Sequence, residues 1–340
     1  MNITRSLTSH SYLVTHSVGL HQNGIRLDTF LKQRYRKRSR EQLKQAIGRG
    51  VVSVRRNQGP HLTFGKPKPS SHLIPGDEVL VLTERQPEPQ VRFDYKILYE
   101  DEFLFVINKP PSLPVHPAGR YFFNTLLVHL KTREKREYYL VHRIDKETSG
   151  VLVLTKNKKA CSEITRQFAE RTTQKHYLAL VRGICPETFT IDLALKRATR
   201  SLIELKMVPT PESEGGQAAL TAFRKLEVRG SYSLIECFPK TGRQHQIRVH
   251  LEAAGFPIVG DKLYGLPEEE ALRFYDRRLL TPEALAKLIL PRHALHASFL
   301  GLIHPITGQS MEFTAPFPQD LKEFFYGIPK NKDTKINLFK

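Results

Sequence analysis

The stretch His142-Arg-Ile-Asp-Lys-Glu-Thr-Ser-Gly150 runs directly into the apolar run Val151-Leu-Val-Leu154. A short apolar run bounded by turn residues predicts a buried β-strand. Polar residues that lead into a buried strand lie in a loop held by rigid scaffold, where functional sites are common. The Thr-Ser-Gly turn can fix the position of Asp145. Because a loop aspartate is more often a cap or a solvated charge, its functional interpretation depends on its neighbours.

A second polar stretch, Thr241-Gly-Arg-Gln-His-Gln-Ile-Arg-Val-His250, carries two arginines, two histidines and two glutamines. It predicts a turn that opens a helix, and a solvated basic face is the simplest alternative. The two histidines are five residues apart with no cysteine nearby, so we expect no metal site. An arginine close to Asp145 would hold the pKa of that carboxyl below its ordinary value of about 3.9. An ionised carboxylate is what a nucleophile requires.

A third stretch, Gln174-Lys-His-Tyr-Leu-Ala-Leu-Val181, alternates like a strand. Lys175 and Tyr177 therefore point to the same face of the sheet. A tyrosine in a strand more often packs in the core than takes part in chemistry.

The first part of the chain predicts a small unit of two helices and short strands. Leu27, Phe30 and Leu31 share one helical face. Ser39 followed by Gln42 forms the pattern of a capping box at the start of a second helix. Strands are expected at 51–54 and 79–82.

The rest of the chain predicts an α+β fold with a large mixed, mainly antiparallel sheet and helices around it. The expected divisions are an extension at 1–23, the small unit at 24–85, a stiff linker at 86–91, the large unit at 92–328 and a basic tail at 329–340. Within the large unit we expect a helical, charged surface insertion at 268–289. Further strands are expected at 202–207, 219–227 and 232–238, and helices at 124–130, 160–171 and 247–254.

Charge and composition limit the kind of partner. The 340 residues carry a net charge of +19 at an isoelectric point of about 9.8, which indicates a polyanion such as nucleic acid. Residues 24–85 hold 14 Lys or Arg against 5 Asp or Glu, a net of +9. No apolar run of membrane-spanning length and no signal-peptide pattern is present, so we expect a cytoplasmic protein with no membrane partner. Three separated cysteines predict small buried hydrophobes rather than disulfides.

Together these stretches resemble the RluA-type family of pseudouridine synthases. The first stretch is similar to the family's catalytic signature, His-Arg-Leu-Asp-x-x-Thr-Ser-Gly, with Ile144 in place of leucine. Lys175-His-Tyr177 is similar to its Lys-x-Tyr strand, and the second stretch to its Gly-Arg-x-His-Gln-Ile-Arg block. The resemblance covers residues 92–320 in six ordered motifs, which also include Lys109–Pro117, Gly255–Gly265 and Leu295–Pro305.

The first unit resembles an S4 RNA-binding module in four places. These are Arg26-Leu-Asp-x-Phe-Leu31, Ser39-Arg40, Ile47-x-x-Gly50 and Pro75-Gly-Asp77. An S4 module joined to such a catalytic domain is characteristic of the family members that modify ribosomal RNA.

The resemblance implies that Asp145 is a nucleophile that isomerises uridine in structured RNA without a cofactor or metal. It implies that Tyr177 packs against the flipped uracil and helps remove the C5 proton, which is awkward for a group of pKa near 10. It also implies that Arg243 pairs with Asp145 and that Arg143 fills the gap left by the base. The further residues expected to bind RNA are His142, Thr148, His245, Arg248, Arg26, Arg38, Arg40, Lys44 and Arg49.

Several alternatives remain open on the sequence. The chain can be a catalytically inactive RNA-binding protein of the same fold, or a synthase that acts on transfer RNA instead of ribosomal RNA. A deaminase would need Cys and His zinc ligands, and a metal-dependent nuclease would need clustered carboxylates. We expect a monomer whose partner is RNA, with ribosomal RNA favoured.

Overall fold

The computed structural model describes residues 11–35, 38–56, 63–84, 88–119, 121–134, 136–199, 201–277 and 279–330. The chain forms two compact units that divide between Pro87 and Glu88. Most of the predicted basic tail and residues 86–87 of the predicted linker lie outside the described residues.

The first unit packs two helices against a four-stranded antiparallel sheet of order β1-β4-β2-β3. Leu27, Phe30, Leu31, Leu43 and Ile47 fill its core. The strands are β1 (Ser11–Ser17), β2 (Val52–Arg56), β3 (Thr63–Gly65) and β4 (Glu78–Glu84), and the helices are α1 (Leu27–Arg34) and α2 (Arg40–Gly48).

The start of α2 follows its sequence prediction. The Ser39 hydroxyl oxygen accepts from the Gln42 backbone N–H at 3.1 Å, and the Gln42 side-chain oxygen accepts from the Ser39 backbone N–H at 2.8 Å. The predicted capping box is therefore confirmed, and it satisfies two helix N–H groups that have no partner within the helix.

Residues 11–17 belong to the first unit, although the sequence placed them in a separate extension. β1 pairs with β4 along its whole length, from Ser11 opposite Glu84 to Ser17 opposite Glu78. Val14 and Val18 enter the core of the unit. The prediction was wrong here because β1 buries polar residues, Thr15 and His16, and so lacks the alternating pattern of a strand, and only the pairing with β4 reveals it.

The second unit is built on one large mixed sheet, which confirms the predicted α+β fold. Its described residues place ten strands in this sheet, with the main order β10-β13-β14-β9-β15-β8-β6-β5, β16 beside β15 and β7 beside β8. The β8–β15 pair is parallel and the other pairs are antiparallel. The strands are β5 (Lys96–Glu100), β6 (Leu104–Lys109), β7 (Tyr139–Leu140), β8 (Ser149–Thr155), β9 (Gln174–Arg182), β10 (Thr188–Asp192), β13 (Leu220–Arg229), β14 (Tyr232–Pro239), β15 (Leu295–Ile303) and β16 (Ser310–Thr314).

Outside the large sheet lie a short hairpin and the helices. The hairpin consists of β11 (Leu195–Arg197) and β12 (Met207–Pro209). The helices are α3 (Leu126–Glu134), α4 (Lys158–Ala169), α5 (Gln246–Ala253), α6 (Glu268–Arg277), α7 (Pro282–Leu288) and α8 (Gln319–Gly327). The predicted insertion at 268–289 is helical, but Ala271 of α6 is fully buried, so the insertion also contributes to the core.

The predicted strand at 202–207 is wrong. Only Met207 belongs to a strand, and the Lys206 N–H closes a turn onto the Ile203 carbonyl at 2.9 Å. Leu202 and Leu205 are exposed while Ile203 is buried. The apolar residues of 202–207 therefore have the sequence pattern of a strand, but they do not cover the sheet.

The predicted linker is partly fixed to the second unit. The Glu88 carboxylate accepts from the backbone N–H groups of Phe123 and Asn124 at 2.8–3.0 Å. The Asn124 side-chain amide donates to the Pro89 carbonyl at 2.8 Å. Residues 88–89 are thus held at the start of the second unit.

Gly150 lets the buried strand β8 meet β15. Its φ of +111° lies where side chains are strongly disfavoured, and a Cβ atom there would lie 2.1 Å from the Ala297 carbonyl oxygen. Gly150 pairs with Ala297 in the parallel ladder. The end of the signature stretch is therefore fixed to two central strands.

We expect Gly150→Ala to destabilise the second unit more than Gly308→Ala. Both glycines have positive φ, but a Cβ at Gly308 meets nothing within 4 Å. The control should cost about 1–2 kcal/mol of backbone strain, whereas Gly150→Ala adds a backbone clash of about 1–3 kcal/mol. Thermal unfolding followed by circular dichroism measures both, and equal losses would contradict the close approach of β8 and β15.

Candidate active site

The three polar stretches of the sequence meet around one pocket of about 460 Å³ in the second unit. The loop before β8 forms one wall, and β9 forms another. The turn after β14, the start of α5 and the end of α4 complete it. The polar lining residues are His142, Arg143, Asp145, Thr148, Thr165, Arg171, Lys175, Tyr177, Lys240, Thr241, Arg243, His245, Gln246 and Arg248.

Asp145 is the one carboxylate among the described residues that line this pocket. Its side chain is 21% exposed. Oδ2 lies 2.7 Å from Arg248 Nη1, and Oδ1 lies 3.8 Å from His245 Nε2. Burial alone would raise the pKa of Asp145, but His245 and Arg248 facing it hold that pKa well below its ordinary value. The carboxylate is therefore ionised at neutral pH.

Arg248 is held in place from behind by Asp261. The Arg248 Nε and Nη2 atoms donate to the two Asp261 oxygens at 2.6 and 2.9 Å, which leaves Nη1 for Asp145. Asp261 Oδ1 also accepts from the backbone N–H groups of Leu263 and Tyr264. Because two nitrogens of the planar Arg248 guanidinium are hydrogen-bonded to Asp261, the group cannot rotate, and its third nitrogen points toward Asp145.

The expected pairing of Arg243 with Asp145 is wrong, because Arg248 takes that place. Arg243 Nε donates to the Ala218 carbonyl at 3.1 Å, and its backbone N–H donates to the Gln246 side chain at 2.9 Å. Arg243 precedes the helix and lines the pocket, whereas Arg248 lies inside α5 and is 5% exposed. Spacing along the chain does not distinguish the two arginines, because the direction of each depends on where the helix begins.

Tyr264 holds the ring of His245 in place. The Tyr264 hydroxyl accepts from the Met207 backbone N–H at 2.9 Å and is hydrogen-bonded to His245 Nδ1 at 2.9 Å. Burial lowers the pKa of His245 to about 4, so the ring is neutral near pH 7, and its Nε2 faces Asp145.

Tyr177 and Lys175 line the same pocket, as the alternation in β9 predicted. The Lys175 ammonium donates to the Thr241 carbonyl at 3.2 Å. Burial, reinforced by Asp145, raises the pKa of Tyr177 well above its ordinary value. The phenol therefore keeps its proton at neutral pH, which does not favour the expected role in removing the C5 proton.

Two residues expected to bind RNA support the loop before β8 with their polar atoms. The Thr148 hydroxyl lies 2.8 Å from His293 Nε2 and is buried. His142 Nε2 accepts from the Val153 backbone N–H at 3.0 Å, and its ring stacks on Phe168 with centroids 4.7 Å apart. In contrast, Arg143 is exposed and lies 3.4 Å from His116 Nε2.

Residues to which the sequence assigned no role also hold the loop before β8 in place. The buried Lys109 ammonium donates to the carbonyls of Pro110, Leu113 and Lys146 at 2.9–3.0 Å. Glu147 accepts from Lys262 at 2.9 Å. Lys109, Asp261 and Lys262 all stand in stretches that carried the family resemblance, but pattern alone did not reveal their contacts.

The first unit presents the remaining predicted cations. Arg26 is paired with Asp28 at 2.8 Å. The exposed set consists of Arg38, Arg40, Lys44 and Arg49. Within it, Lys44 lies 4.0 Å from Glu41 in a long contact that leaves most of its charge in solvent.

The described ranges bear on the alternatives in two ways. No three His, Cys, Asp or Glu side chains there are grouped to hold a metal ion. No helix among those residues is long and apolar enough to cross a membrane.

Comparison with known proteins relates the pocket to one family. Residues 103–253 match the family described as RNA pseudouridylate synthase. The chain is 34% identical to the ribosomal large subunit pseudouridine synthase D of Neisseria meningitidis serogroup B, over 90% of this chain and 79% of that protein. It is 34% identical to the protein of the same name from Zymomonas mobilis, over 89% of this chain and 93% of that protein.

Solved structures show the same likeness. Human RNA pseudouridylate synthase domain containing 1 is 26% identical with a TM-score of 0.53, covering 72% of this chain and 100% of that one. Human RNA pseudouridylate synthase domain containing 4 is 28% identical with a TM-score of 0.52, covering 69% of this chain and 94% of that one.

We expect the second unit to lose stability as the pH falls from about 6.5 to about 4. Burial lowers the pKa of His293 and His296 to about 4. Over this pH range both histidines bind a proton in the unfolded chain but stay neutral in the folded chain. Each histidine therefore lowers the free energy of unfolding by up to about 1.4 kcal/mol per pH unit.

Urea unfolding between pH 7 and pH 5 measures this slope. His296→Gln should reduce it by close to one proton, and the control His21→Gln, at an exposed position of the first unit, should not. A slope unaffected by His296→Gln would contradict the neutral buried state of that ring.

Proposed function

The chain belongs to the RNA pseudouridylate synthase family, and we propose that it isomerises uridine in ribosomal RNA with Asp145 as the nucleophile. One observation carries the proposal: an ionised Asp145 stands in a pocket whose other charged lining groups are cations. The reaction breaks the N1–C1′ bond and rejoins the base through C5. The proton lost at C5 balances the one gained at N1, so neither a redox cofactor nor ATP is required.

We assign the attacking atom to Oδ1 of Asp145. Oδ2 is hydrogen-bonded to Arg248 at 2.7 Å, whereas the described residues place no hydrogen-bond donor on Oδ1, and His245 Nε2 lies 3.8 Å from it. Arg248 keeps the carboxylate ionised, and the neutral His245 leaves Oδ1 free to attack. This arrangement supplies a preorganised nucleophile in a partly enclosed site.

Tyr177 is proposed to pack against the uracil ring rather than act as a base. Its phenol stays protonated, and its ring lines the pocket beside Asp145. An aromatic face offers a stacking surface that does not depend on charge.

The target uridine must leave its stack to reach Asp145. Flipping a base costs a few kcal/mol, which contacts at the vacated position can offset. Arg143 is exposed at the pocket and makes no ion pair in the described parts of the chain. We propose that its planar guanidinium occupies the gap, since such a group stacks well on bases.

Ribosomal RNA is proposed as the substrate on two grounds. The named relatives are ribosomal large subunit pseudouridine synthases. The exposed cations of the first unit can bind phosphates of a structured RNA, as an S4-like module would. With this substrate we propose a cytoplasmic location and a monomer, since one chain supplies every residue of the pocket described above.

Asp145→Asn should abolish turnover and leave RNA binding close to that of the unaltered protein. The amide keeps the shape of the side chain but cannot attack. Pseudouridine formation is measured on ribosomal and transfer RNA transcripts, and binding is measured by titration.

The control is Asp192→Asn, which changes an exposed carboxylate at the end of β10 and should keep full activity. Near-normal turnover in Asp145→Asn would refute the nucleophile assignment. A preference for the transfer RNA transcripts would refute the ribosomal substrate.

Replacing Arg38, Arg40, Lys44 and Arg49 together by Gln should weaken RNA binding and flatten its salt dependence. Each lost phosphate contact lowers the slope of log affinity against log salt by about 0.7–0.9, while turnover at saturating RNA is retained. Arg26→Gln is the matched control, because Asp28 already balances that charge. If the slope of log affinity against log salt stayed the same in the fourfold variant, the first unit would take no part in RNA binding.

A further inference from the structure

Helix α4 ends in a backbone motif that ordinarily takes glycine. The Thr172 N–H donates to the Gln167 carbonyl at 3.0 Å, and the Arg171 N–H donates to the Phe168 carbonyl at 3.3 Å. These two hydrogen bonds define a Schellman motif in which Arg171 occupies the left-handed position, with a φ of +60°. A left-handed backbone at a residue with a side chain costs about 1–2 kcal/mol.

The fold does not need an arginine at this position. The C-terminal end of a helix favours a cation, but that preference is met by a basic side chain in ordinary helical geometry. Glycine would satisfy the two hydrogen bonds without strain. The strain at Arg171 therefore suggests a function for its side chain.

Arg171 is exposed and lines the pocket that contains Asp145. Lys175 lines the same pocket from β9, and its Nζ lies 3.2 Å from the Thr241 carbonyl oxygen. Burial lowers the pKa of Lys175, and the charge of Arg171 lowers it further, which places the two cations within electrostatic reach of each other. Within the described ranges, neither has a carboxylate within 4 Å.

Another arginine of the same helix shows the contrast. Arg166 is bracketed by Glu163 at 2.6 Å and Glu170 at 2.7 Å, so its charge is balanced on the surface. Arg171 and Lys175 face the pocket without such a balance. Two adjacent cations repel each other, and a bound anion would relieve that repulsion.

We propose that Arg171 and Lys175 form a subsite for a phosphodiester group of the RNA strand that enters the pocket. A guanidinium offers a forked pair of donors that matches phosphate oxygens, and an ammonium adds a compact charge. This subsite rests on the proposed function, because the phosphate belongs to the strand that carries the target uridine. It fixes the backbone of that strand and leaves the base free to reach Asp145.

Arg171→Gly separates this role from a structural one. Glycine is the residue that the motif prefers, so the thermal midpoint of the full chain should stay the same or rise. Affinity for an RNA fragment that the unaltered protein modifies should fall about tenfold, and the salt slope should fall by about 0.7–0.9.

Arg171→Lys should recover part of the affinity, because it keeps the charge. Arg166→Gln is the matched control on the same helix and should leave both affinity and slope unchanged. An unaltered slope in Arg171→Gly would overturn the subsite, and so would a lower thermal midpoint accompanied by unaltered affinity.

A neutral linkage in the RNA tests the phosphate directly. One methylphosphonate is placed in turn on each side of the target uridine in the same fragment. At one position the unaltered protein should lose about tenfold in affinity, whereas Arg171→Gly should lose little more than it has already lost. Equal losses in both proteins at every position would overturn the contact. Failure of the unaltered protein to bind or modify any RNA would instead refute the proposed function.

Discussion

Arg248 between Asp145 and Asp261 is the interaction on which the site depends. A buried carboxylate is costly unless it is paired, and one guanidinium here serves two carboxylates with different nitrogens. Asp261 is in turn fixed by the backbone N–H groups that follow it. Loss of one partner from such a buried group costs about 3–5 kcal/mol, so the network couples the stability of the second unit to the charge state of Asp145.

Two of the four non-glycine residues with positive φ among the described residues lie at the same pocket. His245 and Arg171 both adopt left-handed backbone conformations, and both line the cavity. Gly150 has a positive φ where the loop that carries Asp145 enters the sheet. In each case a chain segment turns sharply beside the pocket, which brings side chains from separate elements together. Rigid strands on either side hold these turns in place.

The net charge of +19 acts at two ranges. Exposed cations of the first unit can attract a polyanion over about 8 Å at physiological salt, without reading its sequence. Cations at the pocket act at contact distance and have a defined geometry. Arg171 and Arg143 belong to this second group. They can contact only an RNA strand that places a phosphate or a base beside them.

The sequence by itself determined the fold class, the two-unit organisation, the capping box at Ser39 and the three stretches that meet at the pocket. These follow from local chemistry, because periodicity, caps and turns act over a few residues. Only the tertiary structure decided that Arg248 rather than Arg243 holds Asp145, and that Asp261 aims it. Those contacts join residues 13 and 103 positions apart. Their distances depend on where α5 begins and on how the β8–β15 ladder is registered, and neither is encoded in the spacing of residues along the chain.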